Sequence, residues 1–182
     1  MTPTCVGISA YAAVNALGSS TVEVLANLKA GRTGLRPSEW DLPFSTYCGH
    51  MPATLPALPS ALKAFDTRTT RLAWLALAQV ESEVSTAIER WGTSRIGLIL
   101  GSSTAGMLET EHAFKHFQSY GSLPDDYSIL TQHAFHGLVD ALASHLGIVG
   151  PRYVVSTACS SSAKVFGSAL RLMQSDLVDA GL

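Results

Sequence analysis

The stretch that most restricts the possible folds is the continuous apolar run Ile96–Leu100, which has turn-forming residues on both sides. An uninterrupted run of this kind predicts a strand covered on both faces, because a strand with one wet face alternates apolar and polar residues. Such strands occur almost only in parallel sheets with helices packed on both sides. Since helical and strand patterns alternate along the chain, the sequence predicts an α/β fold with a mostly parallel or mixed sheet and helices on both faces.

A second predicted strand leads directly into a cysteine. Residues 153–155 are apolar and mostly β-branched, residues 156–163 are small, and apolar residues then recur at helical spacing. Cys159 therefore lies at a tight strand-to-helix turn, where unpaired N–H groups of the first helical turn favour a thiolate. This arrangement predicts a nucleophile, by the same geometry as the nucleophile elbow of α/β-hydrolases with sulfur in place of oxygen.

Two other interpretations of this stretch remain open. An isolated cysteine is commonly a small buried hydrophobic residue, and Cys159 could be one. Residues 161–164 also match the Ser-x-x-Lys motif of penicillin-recognising enzymes. The chain contains neither Ser-Asp-Asn nor Lys-Thr-Gly, the companion motifs of those enzymes, so a chance match is favoured.

Composition narrows the class of protein further. The length of 182 residues suits one domain, and 47% of the residues are hydrophobic while only 14% are charged. Such a low charged fraction indicates doubly covered strands or a surface that a partner covers. A formal net charge of −2 without a basic run argues against nucleic-acid binding. Because the sequence lacks a membrane-length apolar stretch, a basic leader and metal-ligand cysteine spacing, we expect a cytoplasmic protein that neither spans a membrane nor binds a metal through its cysteines.

Local patterns predict the remaining elements. They are a strand over 5–9, a short helix after Thr21 that ends before Gly31, an irregular excursion over 36–59 with a short strand near Tyr47–Cys48, one long helix over 66–91 capped by Asp66 or Thr67, a helix opening after residue 106, a helix over 129–146, and a strand beginning within 177–182.

Two further segments could bind ligands. The small-residue loop 101–106 could cradle a phosphate, but it lacks both the Gly-x-Gly-x-x-Gly pattern and a Gly-Lys-Ser/Thr ending. His133 and His136 stand at i and i+3 and could share a metal, although no third ligand follows at a matching spacing, in the segment that also contains His145. We therefore interpret these histidines as surface or partner-contact residues.

Several short motifs occur in the order found in one known family. They are residues 6–8 with 15–18 (an opening strand and a Leu-Gly turn), 28–35 (Leu-x-Ala-Gly-Arg-Ser-Gly-Ile), 101–103 (Gly-Ser/Thr-Gly), and 150–151 followed by 156–161 (Thr-Ala-Cys-x-Ser/Thr-Gly/Ser). On these motifs the chain resembles, over essentially its whole length, the N-terminal half of a β-ketoacyl-[acyl carrier protein] synthase. These condensing enzymes belong to the thiolase superfamily, so the resemblance implies a thiolase-like fold.

The resemblance also implies roles for individual residues. Cys159 matches the nucleophile that accepts an acyl chain from an acyl carrier protein, and its own N–H matches one oxyanion-hole donor. Thr104 matches a residue at the floor of the acyl pocket, and Ser160 is expected to line the same substrate pocket. The family then condenses the acyl group with malonyl-carrier by decarboxylation, in fatty-acid or polyketide synthesis, without a cofactor.

A homodimer, or a heterodimer with another ketosynthase subunit, is a further implication. The family pairs its nucleophile-bearing strands across a two-fold axis, so residues 152–156 would lie near that interface. Residues 130–138 would then approach the acyl pocket of the partner. Burial of this surface would account for the apolar composition.

Departures from the family pattern leave three hypotheses. The family's catalytic histidines, lysine and glutamate belong to a C-terminal half, which is absent from residues 1–182, and Ser103 replaces a glycine. The chain could be the nucleophile half of a ketosynthase, ending within a strand and inactive alone. It could instead be a half-sized partner subunit that resembles a chain-length factor, although such factors usually lose the cysteine. The third hypothesis is acyl transfer from Cys159 without condensation.

Overall fold

A computed structural model describes residues 6–51 and 54–182. The helices are α1 Thr21–Lys29, α2 Arg68–Leu77, α3 Glu81–Trp91, α4 Met107–Tyr120, α5 Phe135–Leu146 and α6 Ser161–Gln174, and the strands are β1 Leu35–Pro37, β2 Tyr47–Gly49, β3 Ile96–Gly101, β4 Arg152–Val155 and β5 Ala180–Gly181. Short 3₁₀ turns cover Ser60–Phe65, Thr93–Arg95 and Ala158–Ser160, and a π-helical turn covers Ile129–His133. Among residues 6–51 and 54–182, no helix is both long and apolar enough to cross a membrane.

The central sheet has the order β4–β3–β5, and both pairings are parallel. Strand β3 is the predicted apolar run, and Leu98 at its centre is 0% exposed. Leu98 pairs with Arg152 of β4, and Ile96 pairs with Ala180 of β5. The predicted doubly covered parallel strand and the strand expected within 177–182 are therefore confirmed.

Helices cover both faces of this sheet. Ile96 and Leu98 belong to the main core with residues of α2, α3 and α5, which are Leu77, Val84, Val139, Leu142 and Ala143. The opposite face of β3 meets α6, because a Cβ built on Gly97 would lie 3.5 Å from Leu172. Side chains alternate between the two faces along a strand, so both layers pack on the same six-residue element.

The single helix predicted over 66–91 is wrong, because the chain forms α2 and α3 with a break between them. Thr67 caps α2, as one of the two predicted caps, by accepting from the N–H of Thr70. At the break, the N–H groups of Gln79 and Val80 bond three residues back, which ends the α-helical pattern. The Gln79 side chain accepts from the N–H of Thr21 at 2.7 Å and thereby ties the break to α1. A contact with a distant segment thus interrupts an otherwise continuous helical pattern.

Two other predictions need correction. The segment 129–146 is not one α-helix, because Ala134 has extended backbone (ψ 140°) between the π-helical turn and α5. Residues 6–9 form no strand and are exposed, since no strand of the described chain pairs with them, and Cys5 lies outside the described residues. In contrast, the short strand predicted near Tyr47–Cys48 is present and pairs antiparallel with β1.

Candidate functional site

Cys159 lies in the 3₁₀ turn that connects β4 to α6, and its side chain is exposed. The residue before it, Ala158, has a left-handed backbone with φ +50°, which turns the chain sharply at the end of the strand. Cys159 is therefore not a buried structural residue, which was the alternative interpretation. An exposed thiol beside the N-terminus of a 14-residue helix is a geometry suited to nucleophilic attack.

The N–H of Cys159 enters none of the hydrogen bonds found within residues 6–51 and 54–182. Its neighbours do bond: the Thr157 N–H donates to Ser161 Oγ at 2.9 Å, and the Ser160 N–H donates to Thr157 O at 3.3 Å. A free N–H at this position is what the expected oxyanion donor requires, because it can donate to a substrate oxygen without first losing a partner.

Serines 160 and 161 bond back into the turn. Ser161 is 3% exposed, and its hydroxyl donates to Ala158 O at 2.8 Å while accepting from the Thr157 N–H. A buried hydroxyl that already donates one hydrogen bond and accepts another is a poor nucleophile. The match of residues 161–164 to Ser-x-x-Lys is therefore best explained by chance. The Ser160 hydroxyl donates to Thr157 O at 3.0 Å, so it stabilises the turn.

The loop 101–106 packs directly on this turn. A Cβ built on Gly101 would lie 2.8 Å from the backbone carbon of Ser161 and 2.8 Å from the nitrogen of Ser162, so only glycine lets β3 approach α6 this closely. The Ser102 N–H donates to Val155 O at 3.2 Å, which continues the pairing of β3 with β4 beyond the strand end. The two segments that contain the candidate residues therefore meet at the carboxyl ends of adjacent parallel strands.

Within this loop, Ser102 Oγ accepts from the N–H of Ala105 at 3.1 Å and from that of Thr104 at 3.4 Å. These N–H groups are the ones a bound phosphate would need, so the loop's own side chain argues against a phosphate cradle. Thr104 is exposed and directly follows Ser103, whose hydroxyl donates to Ala158 O at 3.0 Å. Thr104 thus lies on the loop that contacts the nucleophile turn.

The contacts that Ser103 and Ser161 make with Ala158 did not emerge from the sequence patterns. Both are short polar residues in small-residue segments, where side-chain bonds to the backbone are common, but neither pattern indicates which carbonyl accepts. The one signal in the sequence was that the family motif matched by residues 101–103 ends in glycine, whereas this chain has Ser103 and therefore an additional side chain in the loop.

Three of the histidines make contacts of their own. His133 Nδ1 lies 2.9 Å from Thr110 Oγ1, and His116 Nδ1 lies 2.9 Å from Ser122 O. His145 pairs with Glu81 at 2.7 Å. Throughout the described ranges no group of three or more histidine, cysteine, aspartate and glutamate side chains could hold a metal ion. His133, His136 and His145 are all exposed, as expected for surface residues.

An arginine clamp holds the last strand. Arg95 Nε donates to Asp179 Oδ2 at 2.7 Å, and its terminal nitrogens donate to the carboxylate and backbone carbonyl of Asp176 at 2.6 Å. The guanidinium lowers the pKa of the Asp179 carboxyl below its ordinary value of 3.8, and the same pairs raise the pKa of Arg95. The clamp connects the segment before β3 to the segment before β5.

Similarity to known proteins extends over nearly the whole of this chain. Residues 4–181 match the family model described as beta-ketoacyl synthase, N-terminal domain. A curated relative, 3-oxoacyl-[acyl-carrier-protein] synthase 1 of Haemophilus influenzae, is 25% identical over 96% of this chain. The chain spans 45% of the length of that relative.

Several solved structures are also similar to this chain over more than nine-tenths of its length. A chain of the complex between the ketosynthase ApeO and its chain length factor ApeC from Xenorhabdus doucetiae is 34% identical, with a TM-score of 0.84 over 96% of this chain and 45% of that one. A beta-ketoacyl synthase from Burkholderia phymatum is 25% identical, with a TM-score of 0.71 over 94% of this chain and 44% of that one. A chain of the AntDE:AntF complex, a type II polyketide ketosynthase with its acyl-carrier protein, shares the fold at a TM-score of 0.66 and 14% identity over 92% of this chain and 47% of that one. The predicted thiolase-like α/β fold is confirmed.

Proposed function

Because this chain belongs to the β-ketoacyl synthase family and corresponds to its N-terminal domain, we propose that it supplies the acyl-accepting half of a ketosynthase. The observation that carries this proposal is the exposed Cys159 at the strand-to-helix turn, beside an N–H that is free within the described residues. An exposed thiol and an available donor are the two groups that acyl transfer to a cysteine requires.

In the proposed first stage, the Cys159 thiolate attacks the carbonyl carbon of an acyl thioester on a carrier protein. The Cys159 N–H donates to the oxygen that gains charge in the tetrahedral intermediate. Collapse of that intermediate forms the Cys159 thioester and breaks the bond to the carrier, whose thiolate then takes up a proton. Thr104 on the neighbouring loop, together with Ser160, contributes to the wall that the acyl chain meets.

The second stage, attack by a decarboxylated malonyl-carrier, needs acid–base groups, and within residues 6–51 and 54–182 no histidine forms a hydrogen bond with the Cys159 turn. His116, His133 and His145 each bond to a partner elsewhere in the fold. We propose that the chain alone accepts an acyl group on Cys159 but is inactive as a ketosynthase, because condensation requires the remainder of one. The need for a second half distinguishes this hypothesis from the hypothesis of acyl transfer without condensation. Acyl transfer without condensation would need no second half.

The proposed partners are an acyl carrier protein and a second ketosynthase subunit. Strand β4 forms one edge of the described three-stranded sheet, and Tyr153 on it remains 37% exposed. An edge strand has unpaired backbone groups that can pair with another strand. We propose that residues 152–156 meet a partner subunit at this edge, in a homodimer or a heterodimer.

A second candidate function is that of a partner subunit resembling a chain-length factor. It is favoured by the similarity to a ketosynthase solved with its chain length factor. The exposed Cys159 argues for the acyl-accepting role instead. If the second candidate were correct, the chain would co-purify with a complete ketosynthase and change its product length, and the Cys159→Ala variant would do so equally well.

Intact-protein mass spectrometry tests the proposal. The chain is incubated with an acyl-carrier thioester and compared with Cys159→Ala and, as a matched control, Cys48→Ala. We expect a mass gain of one acyl group in the native chain and in Cys48→Ala but none in Cys159→Ala. A gain that persists in Cys159→Ala, or no gain in the native chain, would overturn the proposal. Added malonyl-carrier should leave the acyl group on the protein unless the rest of a ketosynthase is also present.

A further inference from the structure

The carbonyl of Ala158 is the point where the nucleophile turn is held. It accepts from Ser161 Oγ at 2.8 Å, from Ser103 Oγ at 3.0 Å and from the backbone N–H of Ser161. The two hydroxyl oxygens lie 3.5 Å apart. The residue immediately before Cys159 is therefore fixed by groups from two different segments.

Ala158 needs such support because its backbone is unfavourable. A non-glycine residue with φ +50° is disfavoured by contact between its Cβ and its own backbone, and it persists only when its surroundings hold it. A switch of Ala158 to an ordinary backbone conformation would redirect the next residue, Cys159, and its N–H. The direction of the thiol thus depends on how firmly the Ala158 carbonyl is held.

Of the two hydroxyls, that of Ser161 belongs to the nucleophile segment, and that of Ser103 comes from the loop after β3. Ser161 is buried, whereas Ser103 is exposed, so a change at Ser103 can remove one hydrogen bond without opening a cavity. The resemblance described above has a glycine at this position, which has no hydroxyl to donate.

We propose that Ser103 is a positioning residue for Cys159: its hydroxyl holds the Ala158 carbonyl so that the thiol and the adjacent N–H face an incoming acyl thioester. This inference rests on the proposed acyl transfer. It also connects the loop that contains Thr104 mechanically to the nucleophile, because Ser103 and Thr104 are consecutive. Contact of an acyl chain with that loop would therefore affect the Cys159 turn through Ser103.

The test compares Ser103→Ala, which removes the hydroxyl, with Ser103→Thr, which keeps it, and uses Ser82→Ala at an exposed position of α3 as a matched control. Two rates are measured at residue resolution by peptide mass spectrometry: alkylation of Cys159 by iodoacetamide, with Cys48 as internal reference, and acylation by the carrier thioester. Urea unfolding midpoints are recorded for every variant.

Loss of one hydrogen bond should lower both Cys159 rates in Ser103→Ala by about five- to tenfold. Ser103→Thr should restore them, the Cys48 rate should stay unchanged, and the unfolding midpoint of Ser103→Ala should fall by no more than about 0.5 M, the contribution of one hydrogen bond. A Ser103→Ala variant with wild-type Cys159 rates would overturn the inference, as would failure of threonine to restore them or a rate loss that only follows a fall in the unfolding midpoint. Iodoacetamide needs no carrier, so a native chain that is not acylated but shows the expected alkylation pattern would refute the proposed function and leave the positioning role standing.

Discussion

Gly101→Ala is the substitution that tests the packing of the site most directly. The Cβ it adds would lie 2.8 Å from the carbonyl carbon of Ser161, 2.8 Å from the nitrogen of Ser162 and 2.9 Å from the oxygen of Ser161. All three neighbours are backbone atoms at the start of α6, so no side-chain rotation can relieve the contact. Either β3 or the N-terminus of α6 must move.

The expected cost follows from that contact. Inserting a methyl group into a closely packed region typically costs about 1–3 kcal/mol, because backbone or side chains must shift. With a urea dependence of about 2 kcal/mol per molar, a loss of about 2 kcal/mol lowers the unfolding midpoint by about 1 M. Gly7 provides the matched control, since no atom of the described residues lies within 4 Å of a Cβ built there and its backbone is not left-handed. Gly7→Ala should change the free energy of unfolding by less than about 0.5 kcal/mol.

Urea unfolding followed by circular dichroism measures both variants against the native chain. The reasoning predicts a clear drop for Gly101→Ala and almost none for Gly7→Ala. If the two midpoints agree within error, the close approach of β3 to α6 is not a packing constraint, and the account of Gly101 is refuted.

Three further predictions follow from the core, a cap and the clamp. Leu98→Ala should lower the free energy of unfolding by about 2–5 kcal/mol because Leu98 is fully buried, and a loss below about 1 kcal/mol in urea unfolding would contradict its central place in the core. Thr67→Ala should cost about 1–2 kcal/mol in the same assay, since it removes the cap bond to the Thr70 N–H; an unchanged midpoint would show that the cap contributes nothing. Because Arg95 lowers the pKa of Asp179, the folded state binds fewer protons than the unfolded one, so this contribution is present above the ordinary pKa of 3.8 and is lost as the pH falls below it. Unfolding midpoints of Asp179→Asn should therefore fall less steeply than those of the native chain below that pH, and parallel profiles would rule the linkage out.

Elements defined by local pattern were predictable. The apolar run of β3 could be assigned from its composition, and the short helix expected near Thr21 begins there, where Ser20 caps it by accepting from the Glu23 N–H. The strand-to-helix turn at Cys159 was also predictable, because β-branched, small and helix-spaced residues follow one another within one short stretch. Each of these features depends on residues close together in sequence.

Features that depend on distant contacts were not predictable. The break after α2 is stabilised where Gln79 bonds to Thr21, 58 residues away, and no local signal distinguishes this helix from a continuous one. The bond from Ser103 to Ala158 joins residues 55 positions apart. A hydroxyl in a small-residue loop has many possible acceptors, and only the assembled sheet shows which one it meets.

The strand order β4–β3–β5 also has a consequence for the time course of folding. During synthesis, residues 152–155 become available to pair with one edge of β3 before residues 180–181 become available to pair with its other edge. At a synthesis rate of about 5–20 residues per second, the intervening segment takes roughly one to five seconds to emerge. We expect the nucleophile turn to assemble during this interval while the β5-facing edge of β3 is still unpaired and open to pairing with neighbouring chains. Pulse-labelling hydrogen exchange on nascent chains should then show protection of β4 before protection of the amides at Ile99 and Leu182.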